Sequence, residues 1–258
     1  MFSHSFRRVV GAAVAAVLVA SIAVPQARGQ TEYTWEGNAD EFWGTGGNWV
    51  VPNPTPPPDW LPGAVPTASD TAVFDNLGIT AFPGHMEVDL GAGAAAGTVS
   101  FRHTVGHLGN YTLLGGATLT LGEGLGMPGV IEQAFGSGPV ADNTIASDLM
   151  DAGDGLTVDV QTGALTLSGR IGDDVTTVPL DAIISAGSTL RITHNDPSTP
   201  NNIAGSFYVT GGATLEGKGN ALAGQPITLD NGTLVIQGGD PYMGQVAIFD
   251  ADFQASPT

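Results

Sequence analysis

The chain has 258 residues, of which 25 are acidic and 7 basic, giving a formal net charge of −18, and it contains no cysteine. Nucleic-acid binding is excluded because phosphate contacts are made by Lys and Arg, and a disulfide-stapled scaffold is impossible. With 38 glycines, 17 prolines, 42% hydrophobic and 12% charged residues, the chain is too apolar for disorder and too glycine-rich for a helical bundle, so β-structure with many turns is predicted.

Residues 1–29 read as an export signal. Arg7 and Arg8 precede an apolar run from Val9 to Val24, and Ala27-Arg28-Gly29 offers small residues for cleavage before Gln30. The run is shorter than the roughly 20 residues that span a bilayer, and the flanks of the Arg pair fit twin-arginine export poorly. Removing these residues leaves 4 basic residues (Arg102, Arg170, Arg191 and Lys218) against 25 acidic ones, a net charge of −21. Anionic membrane surfaces are excluded on the same grounds, and an exported, soluble protein is expected.

Residues 30–96 form a second region, an irregular capping segment. All four tryptophans, Trp35, Trp43, Trp49 and Trp60, lie here among Gly, Asn and Pro. Tyr33-Thr34-Trp35, Asn48-Trp49-Val50 and Thr71-Ala72-Val73-Phe74 read as brief strands, and Pro52 to Pro58 as an extended polyproline-like loop. Exposed tryptophans would stack on sugar rings. Tryptophans closing the end of a β-stack are the favoured reading, because large aromatics usually supply buried area. Ala92 to Ala96 is a poor helix, since Gly91, Gly93 and Gly97 bound or interrupt it.

From residue 97 to 258 a repeat takes over. Glycines that precede short β-like runs stand at Gly97, Gly116, Gly163, Gly187, Gly212 and Gly232, at gaps of 19, 47, 24, 25 and 20 residues. The long gap holds one further unit with a degenerate signal near Gly138. Such a period is a solenoid signature, in which each unit buries its apolar face only by stacking on its neighbours. Within a unit the pattern alternates. Tyr111, Leu113, Ala117, Leu119 and Leu121 point one way, Thr112, Thr118 and Thr120 the other. The parity slips from Val158 and Val160 to Leu165 and Leu167, and from Ile227 and Leu229 to Leu234 and Ile236. A corner at Thr162-Gly163 and at Asn231-Gly232 accounts for the slip, with glycine supplying positive φ. Asn231-Gly232 alone could instead be a hairpin turn, but the recurrence of the cassette favours the corner.

These residues resemble the autotransporter-associated β-strand repeat of exported bacterial proteins. The likeness runs through LTVDVQTGALTLSGRIG (156–172), AGSTLRITHN (186–195) and 201–236, where Asn202, Gly205, Val209, Gly212, Leu215, Leu222, Ile227, Gly232 and Leu234 fall on the repeat's course. Trp35, Gly37, Trp43, Asn48, Trp49, Pro66 and the run Asp70 to Phe74 are similar to the segment that often precedes such repeats. The resemblance implies a right-handed parallel β-helix, exported, secreted or surface-displayed, without enzymatic activity. Its expected partners are extracellular glycan, matrix or cell-surface components. No barrel strands or sorting signal follow, and Val246 to Phe249 begins another unit, so either a short released protein or a truncated reading frame is expected, the second being favoured.

No constellation announces a reaction, and no catalytic, cofactor-binding or metal-ligating residue is assigned. Polysaccharide lyases and hydrolases on β-helices are the rival reading, but they need converging carboxylates with basic companions. Asp173-Asp174 is the one acid pair adjacent in sequence within the repeats, and Arg170 and Arg191 sit inside repeat cassettes. His103 and His107 lack the helix that would turn both toward one zinc, with His85 and His194 lying elsewhere. Asp148, Asp151 and Asp154 invite calcium but lack its loop spacings, so loop solvation is favoured.

Overall fold

The computed structural model describes residues 31–37, 39–52, 60–62, 64–75, 86–102, 110–123, 126–134, 141–237 and 246–249. The expected export signal, the Gly138 corner, His85, His103, His107 and most of the proline loop lie outside them. The regular structure of the described chain is almost wholly β, arranged in three sheets of eleven, seven and three strands.

The chain enters through β1 (Glu32–Trp35), β2 (Trp49–Pro52) and β3 (Trp60–Pro62), an antiparallel set at one edge of the first sheet. A 3₁₀ turn, Gly46–Asn48, leads into β2. Asn48 is fully buried, and its side chain ties the preceding loop together. Its Oδ1 accepts from the Ala39 and Asp40 N–H groups at 2.8 and 3.1 Å, and its Nδ2 donates to Asp40 Oδ1 and the Phe42 carbonyl at 2.7 and 3.0 Å. β1 and β2 fall on two of the strands expected in this region, and β3 is an addition.

Parallel pairing starts where β4 (Thr71–Asp75) joins β1. The strands then visit the sheets in rotation. β4 lies in the first sheet, β5 (Glu87–Val88) in the second and β6 (Ala94–Ala96) in the third. The same order returns with β7 (Thr98–Arg102), β8 (Thr112–Leu113) and β9 (Thr118–Leu121), and again with β10 (Gly129–Gln133), β11 (Asp142–Ile145) and β12 (Asp148–Asp151). After β13 (Leu156–Val160) and β14 (Ala164–Leu167) the third sheet keeps only a parallel bridge from Leu149 to Ile171.

From there the strands alternate between the first and second sheets. They are β15 (Val178–Ile184), β16 (Thr189–Ile192), β17 (Ile203–Thr210), β18 (Thr214–Lys218), β19 (Ile227–Asp230), β20 (Thr233–Gln237) and β21 (Val246–Phe249). On the third side Asn201 takes over the ladder's work. Its Oδ1 accepts from the Ile171 N–H at 2.9 Å, and its Nδ2 donates to the Ala221 carbonyl at 2.8 Å, so one buried amide joins three successive passes of the chain.

Register explains the repeat and corrects its phase. In the first sheet Ala72, Val99, Ile131, Val158, Ala182, Phe207, Ile227 and Val246 form one column, at spacings of 27, 32, 27, 24, 25, 20 and 19 residues. The period near 20–25 is thus a property of the later passes. Gly97 leads into the first sheet, Gly116 into the third, and Gly163 and Gly232 into the second, so the glycine series joins corners that are not equivalent. Gly163 and Gly232 share one register position, whose counterpart in β11 is Ala141. Gly187 and Gly212 stand one residue earlier. The run from Tyr111 to Leu121 is likewise two strands in two sheets.

The parity slips hold as corners. Val158 and Val160 on β13 and Leu165 and Leu167 on β14 are all buried, in different sheets. The same is true of Ile227 and Leu229 against Leu234, so Asn231-Gly232 is a corner and not a hairpin turn. Parallel pairing also reaches back across Gly97 to Glu32.

The core begins with an aromatic stack. Trp35 and Trp43 meet Trp49 edge-on at centroid distances of 5.1 and 4.8 Å, and Phe74 lies against all three, then against Phe101 at 5.4 Å and Tyr111 at 5.2 Å. Edge-to-face geometry of this kind adds to the gain from area burial. The three tryptophans are at most 2% exposed, as the capping reading expects. They offer no face to a sugar.

Candidate functional site

The side chains most capable of chemistry gather on the outer face of the first sheet, where β7, β10 and β13 lie side by side. Alternation sends Val99, Ile131 and Val158 inward, and so turns Ser100, Glu132 and Asp159 outward in one column. Glu132 and Asp159 are direct neighbours on adjacent strands, about 4.8 Å apart in the backbone, although 27 residues separate them in the chain. Ser100 Oγ donates to Glu132 Oε1 at 2.5 Å, and Arg102 Nε donates to Ser100 Oγ at 3.1 Å. The Arg102 guanidinium reaches across β4 to Glu32, giving two bonds of 3.1 and 2.8 Å, and stands 3.9 Å from Glu132.

The charges balance unevenly. The hydrogen bond from Arg102 holds the Glu32 carboxyl below its ordinary range, against an opposing effect of burial. Asp159 is displaced the other way. Burial raises its pKa, the Gln161 amide donating at 2.7 Å offsets part of the rise, and the Glu132 charge adds to it. A carboxyl whose pKa is raised beside a second carboxyl is the kind of arrangement from which a general acid can be made. Further along the same column the neighbours are Ile183 and Tyr208, and the Tyr208 hydroxyl donates to Asp230 at 2.9 Å.

The acids singled out in the sequence are placed elsewhere. Asp173 closes a turn by accepting from the Val175 and Thr176 N–H groups, while Asp174 pairs with Arg170 at 2.5 Å, so the adjacent pair faces two separate tasks. Asp151 accepts from the Gly153 and Gly155 N–H groups at 2.9 and 2.8 Å, Asp154 from Gly126 and Asp148 from Arg170, each at 2.9 Å. Each of the three is engaged with backbone N–H groups. Among the described residues no group of three His, Cys, Asp or Glu side chains is placed to hold a metal ion. His194 Nε2 is bonded to the Thr199 carbonyl at 2.7 Å.

The outer face of the second sheet is a polar column of another kind. Thr112, Thr144, Thr166, Arg191, Glu216 and Val235 follow one another in register, and Arg191 meets Glu216 at 3.0 Å. Thr189, Thr214 and Thr233 line up beside it. The Glu132–Asp159 pair escaped the sequence reading because only register reveals it. The signal that could have found it is the shared apolar-acid step of Ile131-Glu132 and Val158-Asp159, compared at a 27-residue offset.

The described residues define an all-β protein with large, mostly parallel sheets. Comparison with protein-family models, curated proteins and solved structures finds no match. Among the described residues no helix is long and apolar enough to cross a membrane.

Proposed function

We propose that the protein is an exported, non-catalytic β-solenoid, a right-handed parallel β-helix that acts as a structural or adhesive scaffold toward an extracellular glycan, matrix or cell-surface component. The observation that carries this reading is the repeated return of the chain to the first and second sheets in parallel register, from β4 to β21. Parallel crossovers of this sort are right-handed with few exceptions. Each pass is too small to hold a core of its own and gains one only by stacking. The export signal at residues 1–29 and the strongly acidic mature composition agree with a soluble extracellular role. Flat columns of Thr, Arg and Glu on the second sheet supply hydrogen-bonding groups at strand spacing, suited to an extended partner.

The Glu132–Asp159 pair favours a second reading, a polysaccharide-acting β-helix enzyme with acid and base on neighbouring strands. One experiment separates the two. The purified protein is incubated with a panel of extracellular polysaccharides, and retention and newly formed chain ends are read in the same reaction. Retention without new ends supports the scaffold. New ends that disappear in Asp159→Asn and Glu132→Gln would establish the enzyme instead.

A further inference from the structure

We propose that Asn231 is a site of spontaneous covalent modification, in which the Gly232 main-chain nitrogen attacks the Asn231 side-chain amide and converts it to aspartate or isoaspartate. Asn231-Gly232 is the sole Asn-Gly step in the chain, and it forms the corner between β19 and β20. Asn231 is exposed and holds a left-handed backbone, φ +54°, a conformation asparagine tolerates better than most residues. Within the described residues its amide makes no hydrogen bond, and the Gly232 N–H has no acceptor. The corner is held through other atoms. The Asn231 carbonyl accepts from Gly212 at 2.6 Å, and the Thr233 N–H donates to Ala213 at 2.8 Å. Among the described residues both reacting groups are therefore without a hydrogen-bond partner, and the attacking residue has no Cβ to obstruct the approach.

The step balances without an oxidant or reductant. The Gly232 nitrogen gives its proton to solvent and forms a bond to Asn231 Cγ, the Cγ–NH₂ bond breaks, and ammonia leaves. A five-membered imide results. Water then adds to either ring carbonyl and opens the ring, yielding aspartate when the original main chain is restored and isoaspartate when the chain is routed through the side chain.

Two other steps in the molecule show what protection looks like. Asp154-Gly155 has the same glycine, but the Gly155 N–H donates to Asp151 and Asp154 accepts from Gly126, so nucleophile and target are both held. Asn201 is buried and bonded at both ends of its amide. The corner at Asn231 also has little room for the product. A Cβ on Gly232 would lie 2.6 Å from the Val209 carbonyl oxygen of β17, so the corner is closely packed, and isoaspartate, which lengthens the main chain by one carbon between residues 231 and 232, must displace the start of β20.

The test uses the full folded protein held at mildly alkaline pH, with a second sample in denaturant. Aliquots are digested and analysed by mass spectrometry, and isoaspartate is measured by enzymatic methylation. The expected result is loss of the intact Asn231 peptide from the folded protein, with acid and isoaspartate forms in its place, while Asn143 and Asn201 remain amides. Hydrogen exchange in the converted fraction should show protection lost in β20. Asn231→Gln, whose longer side chain closes a ring far more slowly, should stay intact. Conversion in denaturant with an unchanged folded sample would overturn the proposal, and so would no conversion in either.

Discussion

Glu132 and Asp159 stand directly opposite each other on adjacent parallel strands, both on the outer face of the first sheet. Like charges so placed repel, and Asp159 meets this repulsion in a half-buried position that already raises its pKa. The folded protein then retains a proton that the unfolded chain releases at its ordinary carboxylate value. Stability is full below that value and declines as pH rises through the folded pKa. Asp159→Asn should match the native protein below the carboxylate range and melt at a higher temperature at neutral pH. Glu32 has the opposite slope, because Arg102 lowers its pKa. Its contribution is present above the unfolded value and is lost as pH falls through the folded one, so Glu32→Gln should lower the melting temperature at neutral pH. Melting curves across pH check both, and shifts independent of pH would contradict the assignment.

Trp49 touches Trp35, Trp43 and Phe74 at the start of the core, and its Nε1 donates to the Trp43 carbonyl at 2.8 Å. Trp49→Ala removes a fully buried ring and leaves a cavity, at a cost of about 3–5 kcal/mol. Urea unfolding followed by circular dichroism measures the loss. A change below about 1 kcal/mol would mean that the site collapses freely or that the ring is not buried.

Asp151 is a loop clasp, with two backbone N–H groups on one carboxylate oxygen. Asp151→Ala should cost about 1.5–3 kcal/mol, the range for hydrogen bonds to a charged group. Calcium and chelator should each leave the melting temperature of the native protein unchanged. A rise with calcium that Asp148→Asn abolishes would instead establish a cation site.

Gly163 and Gly187 both have left-handed backbones, φ +63° and +72°, but a methyl group meets different surroundings at each. At Gly163 it would lie 2.2 Å from the Ala141 carbonyl oxygen, whereas at Gly187 nothing stands within 4 Å. Gly187→Ala should cost about 1–2 kcal/mol, the left-handed penalty alone. Gly163→Ala must also displace the neighbouring strand's backbone, and a loss of more than about 3 kcal/mol is expected. Equal losses in chemical denaturation would contradict the register that separates the two corners.

Strands and corners were legible in the sequence because a period of two is sensitive to a one-residue slip. Val158 and Leu165 cannot both face inward on one straight strand, so the corner between them follows from the residue numbers alone. Burial of Trp35, Trp43 and Trp49 followed from their size and their Gly, Asn and Pro neighbours, whereas the Trp60 side chain lies outside the described residues. Sheet membership did not follow. Gly97, Gly116 and Gly163 look alike locally, yet they lead into three different sheets, because glycine reports a bend and not the sheet that follows it. Gly187 was aligned one residue out of phase with Gly163 for the same reason. The Glu132–Asp159 pair depends on an uneven pass length, which a search at a regular 20–25 residue period steps over. Asn201 was singled out only as the first residue of the 201–236 stretch, and its role in place of the third sheet appears only when Ile171 and Ala221 are brought beside it.

The central claim is a continuous parallel stack, and the column Glu87, Thr112, Thr144, Thr166, Arg191, Glu216, Val235 gives it a ruler. The chain lacks cysteine, so pairs of introduced cysteines can be spin-labelled without background. With one label at Glu87→Cys and the second at Thr166→Cys, Glu216→Cys or Val235→Cys, pulsed electron resonance reads three, five and six strand steps. At about 4.8 Å per step the backbone separations should be roughly 14, 24 and 29 Å, increasing in that order. Distances that fail to grow with strand number, or that place Val235 nearer to Glu87 than Thr166 is, would contradict the stack.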